Sequence, residues 1–404
     1  FGFYEAIDYT SSRLPRGKTS SIVQSYMVHH QGMGLLSLAY VLLDKPMQNR
    51  FLSELRFQAT LLLLQERIPR TTLFYAHTAD LVETHASETD VQVRVITTPN
   101  TVMPEIQLLS NGRYQVMITN SGGGYSRWKN IAITRWREDA TKDDRGIFCY
   151  IKDIDTGKFW SNTHQPTLQP AKNYETIFSQ GHAEIRRHDY GIDTKTEMVI
   201  SPEDDTEMRR VRITNRSNTP RVLEVTSYAE IVMASQASDE AHPAFSNLFV
   251  QTEIMPEHKS VFCTRRPRSE EEVPPWMFHL MDVRGAVAEA VSYETDRMQF
   301  IGRGRSLANP QAMQIDELSG NQGSVLDPIL SVRYRITLKP NQVATIDLIY
   351  GITETRDSCV ALMHKYQDQH YKNRAVELAW THSQVTLRQI NATEADAQLY
   401  GRLA

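Results

Sequence analysis

The chain has 404 residues and a formal net charge of −4, with 23% charged residues. This balance excludes the basic field that nucleic acid would require, and the length exceeds that of one ordinary hydrophobic core. The three cysteines, Cys149, Cys263 and Cys359, form no C-x-x-C pair, which disfavours a zinc knuckle and favours a reducing compartment. We therefore expect a globular protein of two or more domains.

The first ten residues, FGFYEAIDYT, contain neither an initiator Met nor the basic and apolar segments of a signal peptide. We expect the chain to be a piece of a larger polypeptide. Within this stretch Glu5 lies among aromatic residues, and apolar surroundings favour the protonated carboxyl group that a glycosidase acid requires. Such a site needs a partner carboxylate, for which Asp8 is a candidate. A helix-capping role for either acid fits the spacing equally well.

Two helices are predicted next. Residues 19–43 have helical character, with Ser20 or Ser21 as the N-cap. The apolar part, residues 32–43, is shorter than the ~20 residues that span a membrane, so we expect a buried helix. Residues 47–67 predict a second helix with an apolar run over 61–64. A hydrophobic helical hairpin needs neighbours that cover it, which indicates the remnant of a larger helical domain.

The first helix also carries the polar stretch His29-His30-Gln31. The two histidines lack H-E-x-x-H spacing and an acidic partner nearby, so no metal site is predicted. We expect them to face inward and to hydrogen-bond a ligand or each other.

Residues 70–102 are polar and predict a linker that becomes a strand near 91–96. Beyond residue 111, short alternating runs separated by turn clusters are typical of strands and together predict a large sandwich. The runs lie at 211–214, 222–232, 248–254, 277–283 and 329–338. Helix is predicted again over 357–387, and a further helix begins near 393–396.

The stretch from Asn111 to Trp136 predicts two strands that meet at a glycine-rich corner, SGGGYSRW. Glycines there allow positive φ or a close approach to another surface. Two interpretations stay open. Either aromatic faces hold a polar ring while Arg127 binds hydroxyls or an anion, or Tyr125 and Trp128 pack into the core of a long hairpin. We predict a split arrangement, with Trp128 inward and structural and with Tyr125 and Arg127 outward.

Other polar groups give weaker indications. The triple glycine has no P-loop spacing, and Glu203-Asp204-Asp205 lacks EF-hand alternation and predicts a turn between strands. A polar group in GHAEIRRHDYG could face a ligand or form a solvated strand edge. Its members are His182, Arg186, Arg187 and His188.

Along its whole length the chain resembles the cyclic β-1,2-glucan synthases, a family of large bacterial membrane proteins. The end of their glycoamylase-like domain, an (α/α)6 barrel, resembles GFYEAIDYT, RLPRG and SYMVHHQGMGLLSLAYVLLD. The β-sandwich that opens their glycoside hydrolase family 94 phosphorylase-like region resembles SNGRYQVMITNSGGGYSRW, FCYIKD, TEMVISPEDD, SYAEI, DEAHPAFSNLFVQTE, CTRRPRS and AWTHSQVTLRQ. These motifs are long and contiguous, and therefore far more specific than a glycine loop.

The resemblance implies a mainly β fold with helical ends. A large β-sandwich of the supersandwich, galactose-mutarotase-like type lies between an N-terminal helical hairpin from an (α/α)6 barrel and C-terminal linker helices. Residues 1–70 would end the glycoamylase-like domain, and 71–100 would be a linker. Residues 101–355 would form the sandwich, and 356–404 a helical linker toward a missing phosphorylase-like barrel.

In this family one polypeptide makes the linear glucan, closes it into a ring and controls its length through the phosphorylase-like region. The resemblance implies that Glu5 is a catalytic carboxylate of ring closure, although the second carboxylate and most of both barrels are missing. On its own the chain is expected to be inactive. The substrate-binding residues that we expect are Tyr4, His29, His30, Gln31, Tyr125 and Arg127.

The implied partners are β-1,2-glucan, the missing domains of the same polypeptide and, for the sandwich, a second copy in a homo-oligomer. No cofactor is expected within this chain, and inorganic phosphate would serve the intact phosphorylase-like region. The parent protein would lie at the cytoplasmic face of the bacterial inner membrane as a glycosyltransferase. The alternative is a non-catalytic carbohydrate-binding or packing sandwich of another family 94-type glycoside phosphorylase.

Overall fold

A computed structural model describes residues 4–9, 14, 18–54, 57, 93–139, 141–267 and 272–403. The chain divides into two compact units, residues 1–67 with 388–391 and residues 68–387 with 392–404. Across the described ranges, no helix has both the length and the apolar character needed to cross a membrane.

The helices and strands are numbered in chain order over the described residues. The helices are α1 Val28–Leu42, α2 Pro46–Leu52, α3 Gln236–Ala241, α4 Pro243–Asn247, α5 Arg297–Ile301, α6 Arg356–Gln367, α7 Gln369–Gln389 and α8 Glu394–Leu403. The strands are β1 Ala6–Asp8, β2 Ser21–Val23, β3 Arg94–Ile96, β4 Ile106–Ser110, β5 Tyr114–Thr119, β6 Gly124–Trp128, β7 Ile131–Thr134, β8 Ile147–Asp153, β9 Phe159–Ser161, β10 Asn173–Ser179, β11 His182–Asp189, β12 Ile192–Ile200, β13 Thr206–Asn215, β14 Arg221–Ala234, β15 Val250–Met255, β16 Ser260–Arg265, β17 Trp276–Arg284, β18 Val287–Asp296, β19 Pro328–Leu338 and β20 Val343–Thr353.

In the first unit, β1 and β2 form an antiparallel ribbon that α1 follows. The predicted helix start was wrong, because Ser21 pairs with Asp8 in the ribbon and Met27 is the N-cap of α1 without a side-chain hydrogen bond. The prediction that Glu5 or Asp8 caps a helix was also wrong, since Glu5 precedes β1 and Asp8 lies within it.

The predicted burial of the first helix is not found in the described residues, since α1 has no buried residue. The ribbon and the short helix α2 are too small to cover an apolar helix of four turns. Helix α2 ends at Leu52, and the predicted apolar run over 61–64 lies outside the described residues.

The second unit is a sandwich of two antiparallel sheets, each of nine strands among the described residues. The first sheet has the order β15-β16-β17-β20-β13-β12-β11-β10-β3. The second has the order β18-β19-β14-β7-β6-β5-β4, and β8 pairs with β14 and β9. Apolar side chains from alternating positions of both sheets fill the space between them. The predicted mainly β sandwich is confirmed, as are the predicted strands near 211, 222, 250, 277 and 329.

A buried ionic group joins the two sheets. Glu207 on β13 binds Arg209 at 2.7 Å, and both side chains are almost fully buried. From the opposite sheet, the Tyr114 hydroxyl donates to Glu207 at 3.3 Å and the Ser126 hydroxyl at 2.5 Å. Burial raises the pKa of Tyr114 well above its usual value, and the nearby Glu207 charge adds to this. These directional contacts fix the register between the two sheets more specifically than apolar packing does.

Helices α6 and α7 cover the outer face of the first sheet. Met363 and Ala375 belong to an apolar cluster that includes Phe262 and Phe278 of the sheet. The predicted single helix over 357–387 is interrupted at Asp368, whose backbone is extended. Residues 203–205 form the predicted turn between strands, and all three of its carboxylates have basic partners rather than a metal arrangement.

A buried histidine connects the sheets at another level. The His279 ring stacks on Tyr350 with 4.2 Å between ring centroids, and its Nε2 lies 2.8 Å from the Ser227 hydroxyl. Burial lowers the pKa of His279 to about 3. The unfolded chain therefore binds a proton at this residue below about pH 6.5, whereas the folded chain does not until pH falls to that lower value.

We predict that the contribution of His279 to the free energy of unfolding is fully present well above pH 6.5 and is lost as the pH falls toward 3. Between pH 6.5 and 4.5 the loss from His279 is about 2 kcal/mol, because the slope reaches roughly 1.4 kcal/mol per pH unit only below the pKa of the unfolded chain. Urea unfolding at pH 7, 5.5 and 4.5 measures it. The His279→Gln variant should lose less free energy of unfolding than the wild type as the pH falls. The control His242→Gln, at an exposed position, should lose as much as the wild type. Equal pH slopes for all three proteins would contradict the assignment.

Candidate functional site

The first candidate site is built around Glu5. Its amide donates to the Ser25 carbonyl oxygen at 3.1 Å, which fixes the start of the ribbon beside the residues that lead into α1. Oε1 of the Glu5 carboxylate contacts Nδ1 of His30. The Glu5 side chain is 13% exposed and that of His30 is 47% exposed. A carboxylate and an imidazole, groups suited to acid–base chemistry, thus meet at the first turn of a helix.

This contact corrects two expectations. The histidine pair was predicted to lack an acidic partner, but Glu5 fills that role through the ribbon, which no local spacing reveals. The expectation that the histidines face inward was wrong, because His29 and His30 are both exposed and the whole of α1 has no buried residue. Gln31 follows them on α1 and is half-buried.

The other oxygen of Glu5 is oriented differently. Oε2 is buried and has no hydrogen-bond partner among the described residues. Beside it in sequence, Tyr4 stacks on Tyr26 with 5.5 Å between ring centroids and 30° between ring planes. Both rings are about half exposed. Five predicted residues, Tyr4, Glu5, His29, His30 and Gln31, therefore lie in one small unit, whereas Tyr26 was not predicted.

The second candidate site begins at the glycine turn. The structure has three strands where two were predicted, because residues 124–128 of the expected corner form β6 between β5 and β7. Gly122 and Gly124 adopt positive φ, as predicted. A Cβ atom on Gly124 would overlap the Met117 carbonyl oxygen, and one on Gly123 would overlap the Asp143 carboxylate. The close approach that these glycines permit is to the protein itself.

Strand β6 divides the remaining corner residues between two faces. Trp128 lies in the core with 5% exposure, and its Nε1 donates to Asp205 at 2.7 Å. Tyr125 and Arg127 lie on the opposite face and are half-buried. The predicted inward position of Trp128 is confirmed, since it belongs to the core between the sheets.

We call the opposite surface the Tyr125 face, defined by Tyr125, Arg127, Trp136 and Gln236. The Trp136 ring meets Tyr125 edge-on with 5.5 Å between ring centroids. The Arg127 guanidinium lies 5.4 Å from the Tyr125 ring centroid and donates to Gln236. Flat aromatic rings beside a forked donor can stack on a sugar ring and bind its hydroxyls. Trp136 was not predicted as a site residue, although its position just after β7 placed it near this face.

The profile of the glycosyl hydrolase 94 supersandwich domain matches residues 89–369. This chain belongs to the glycosyl hydrolase 94 supersandwich family. The assignment confirms the family 94 part of the resemblance and agrees with the two-sheet architecture.

Several relatives of this glycosyl hydrolase 94 chain have established names. It is 32% identical to the cyclic beta-(1,2)-glucan synthase NdvB of Rhizobium meliloti (strain 1021) over 100% of this chain and 14% of that protein. It is 25% identical to the N,N'-diacetylchitobiose phosphorylase of Vibrio furnissii over 70% of this chain and 34% of that protein. It is 24% identical to the 3-O-beta-D-glucopyranosyl-beta-D-glucuronide phosphorylase of Paenibacillus borealis over 67% of this chain and 34% of that protein. The chain thus spans about a third or less of each relative.

The glycosyl hydrolase 94 sandwich also contains the polar group predicted on GHAEIRRHDYG. The interpretation of this group as a strand edge was wrong, because β11 lies between β10 and β12. Arg187 is buried and binds Asp189. His182, Glu184 and Glu197 come close enough to hold a metal ion. However, two cations already pair with these two carboxylates, since Lys195 lies 3.2 Å from Glu184 and 3.1 Å from Glu197 and Arg186 also contacts Glu184.

Proposed function

We propose that this chain is part of a cyclic β-1,2-glucan synthase. In this proposal Glu5 is a catalytic carboxylate of the glycoamylase-like domain that closes the ring. The sandwich binds β-1,2-glucan at the Tyr125 face and supports the phosphorylase-like barrel, which would use inorganic phosphate. The parent protein would be a glycosyltransferase held at the cytoplasmic face of the bacterial inner membrane.

One observation supports this proposal most strongly. The similarity to the glucan synthase covers the whole chain, including the residues before position 89 that the family profile does not reach. The two phosphorylases match only 70% and 67% of it. The alternative, a packing or carbohydrate-binding module of another family 94 phosphorylase, leaves the Glu5–His30 pair without a role.

The surface of the first unit adds support for a larger parent. Helix α1 is apolar and has no buried residue among the described ones, so a covering partner would stabilise it. The proposal assigns this partner to other helices of the glycoamylase-like domain. In this scheme residues 1–70 belong to that domain, 101–355 to the sandwich, and 356–404 lead toward the next barrel.

Binding of linear β-1,2-glucan to the folded chain tests the role of the Tyr125 face. We predict that Tyr125→Ala raises Kd about tenfold, because one stacking contact contributes roughly 1.4 kcal/mol. Trp136→Ala should have a similar effect, since its edge orients the Tyr125 ring. Isothermal titration calorimetry measures the Kd of both variants for β-1,2-glucan. The same titration with N,N'-diacetylchitobiose shows which of the two ligands the chain prefers.

The exposed Tyr371 on α7 provides the matched control, and Tyr371→Ala should bind glucan like the wild type. Unchanged Kd values for the Tyr125 and Trp136 variants would remove the Tyr125 face from the proposal. Preference for N,N'-diacetylchitobiose over β-1,2-glucan would favour the phosphorylase alternative.

A further inference from the structure

We propose that His30 is a positioning residue, which holds the Glu5 carboxylate by Oε1 and thereby directs Oε2 at the reacting glycosidic bond. This inference rests on the proposed function, because it takes Glu5 as the catalytic carboxylate. It changes the role of His30 from substrate binding to orientation of another side chain.

The backbone fixes Glu5 at the start of the ribbon and His30 on helix α1. Glu5 is fixed by its amide hydrogen bond to Ser25 at 3.1 Å, immediately before the β1–β2 ribbon. His30 lies in the first turn of α1, where the next amide, that of Gln31, already donates to Met27 at 3.1 Å. The His29 ring meets the His30 ring edge-on with 4.1 Å between centroids. The imidazole thus approaches the carboxylate from a rigid helix rather than from a loop.

The two carboxylate oxygens have different environments. Oε1 contacts His30 Nδ1, a ring nitrogen that can donate a hydrogen bond to a carboxylate oxygen. Oε2 is buried and has no hydrogen-bond partner among the described residues. A buried oxygen without a partner is costly, so a hydrogen-bond donor from a ligand would stabilise it. Oε2 is therefore the carboxylate oxygen whose hydrogen-bonding capacity remains unused within the described part of the chain and can serve a substrate.

An acid or nucleophile needs this asymmetry. A free carboxylate rotates about its terminal bond, so neither oxygen stays aimed at a reacting atom. Holding one oxygen fixes the direction of the other, and a misplacement of about 1 Å can reduce the rate about 100-fold. The stacked rings of Tyr4 and Tyr26 lie next to Glu5 and Ser25 in sequence, where a sugar ring could pack while Oε2 reaches its glycosidic oxygen.

Ring-closure kinetics of the intact polypeptide test the inference with two substitutions at one position. In His30→Asn the side-chain amide nitrogen takes the place of Nδ1 and can still donate to Oε1, whereas His30→Leu has no donor. We expect His30→Leu to lower kcat about 100-fold with KM within about twofold of wild type. His30→Asn should recover most of that loss. Gln48→Leu, an exposed polar-to-leucine change on α2, should behave as wild type.

The other possible results contradict either the role of His30 or the proposed function. A raised KM with unchanged kcat in His30→Leu would show that His30 binds substrate and would overturn the inference. Equal kcat losses in folded His30→Asn and His30→Leu would also overturn it. If His30→Leu does not fold, His30→Gln replaces it, because the longer glutamine amide cannot overlay Nδ1. A kcat higher in His30→Asn than in His30→Gln then supports the inference, and equal kcat values overturn it. Wild-type ring closure by Glu5→Gln would instead reject the proposed function, whereas an inactive Glu5→Gln with an active His30→Leu rejects this inference alone.

Discussion

Glu5→Gln in the intact polypeptide is expected to lower ring closure by about 10²–10⁴-fold while chain elongation continues. The substitution keeps the shape of the side chain and its contact with His30, but it removes the carboxylate that would transfer a proton or attack the sugar. Mass spectrometry of the glucan products separates the two activities, because rings and linear chains of equal length differ by one water.

Two features of the Glu5 experiment make it specific. Glu54→Gln, in the same unit, removes a carboxylate of the same type and should leave the ratio of cyclic to linear product unchanged. Continued elongation by Glu5→Gln excludes global unfolding as the cause of lost rings. Wild-type amounts of cyclic product would instead show that Glu5 has a structural role.

Trp128→Ala is expected to destabilise the sandwich by about 3–5 kcal/mol, the range found when a buried large aromatic is truncated. The indole fills the space between the sheets, and its loss also removes the 2.7 Å hydrogen bond to Asp205. Tyr125→Ala and Arg127→Ala, which alter the opposite face of the same strand, should each change the free energy of unfolding by about 1 kcal/mol or less.

Urea unfolding of the three variants at pH 7 measures this difference within one strand. The comparison is internally matched, because all three positions share β6 and its backbone pairing. A large loss for Tyr125→Ala and Arg127→Ala with none for Trp128→Ala would reverse the assignment of the two faces.

Alternation made the sandwich predictable. Strands such as β13, β14 and β19 extend over ten residues or more, so the two-residue period stands out from the sequence. Strand β6 was missed because it has only five residues and begins with a glycine. Its backbone pairing with β5, rather than its own composition, makes it a strand.

Tertiary contacts explain the remaining errors. Ser20 and Ser21 have the composition of a helix cap, but pairing of residues 21–23 with β1 outweighs that local preference. The Glu5–His30 contact joins residues 25 positions apart through the same ribbon, and no motif spacing encodes it. Single residues of the site could therefore be proposed from the sequence, but their grouping required the fold.

The position of α6 and α7 has a consequence for recombinant expression of the sandwich. Their side chains Cys359, Met363 and Ala375 cover Phe262, Phe278 and Ile349 on the outer sheet face. A shortened chain that stopped at residue 355 would present this apolar surface to water and would tend to aggregate. It would also lose the buried Lys372 that binds Asp282. A soluble sandwich should therefore be cloned with both helices retained.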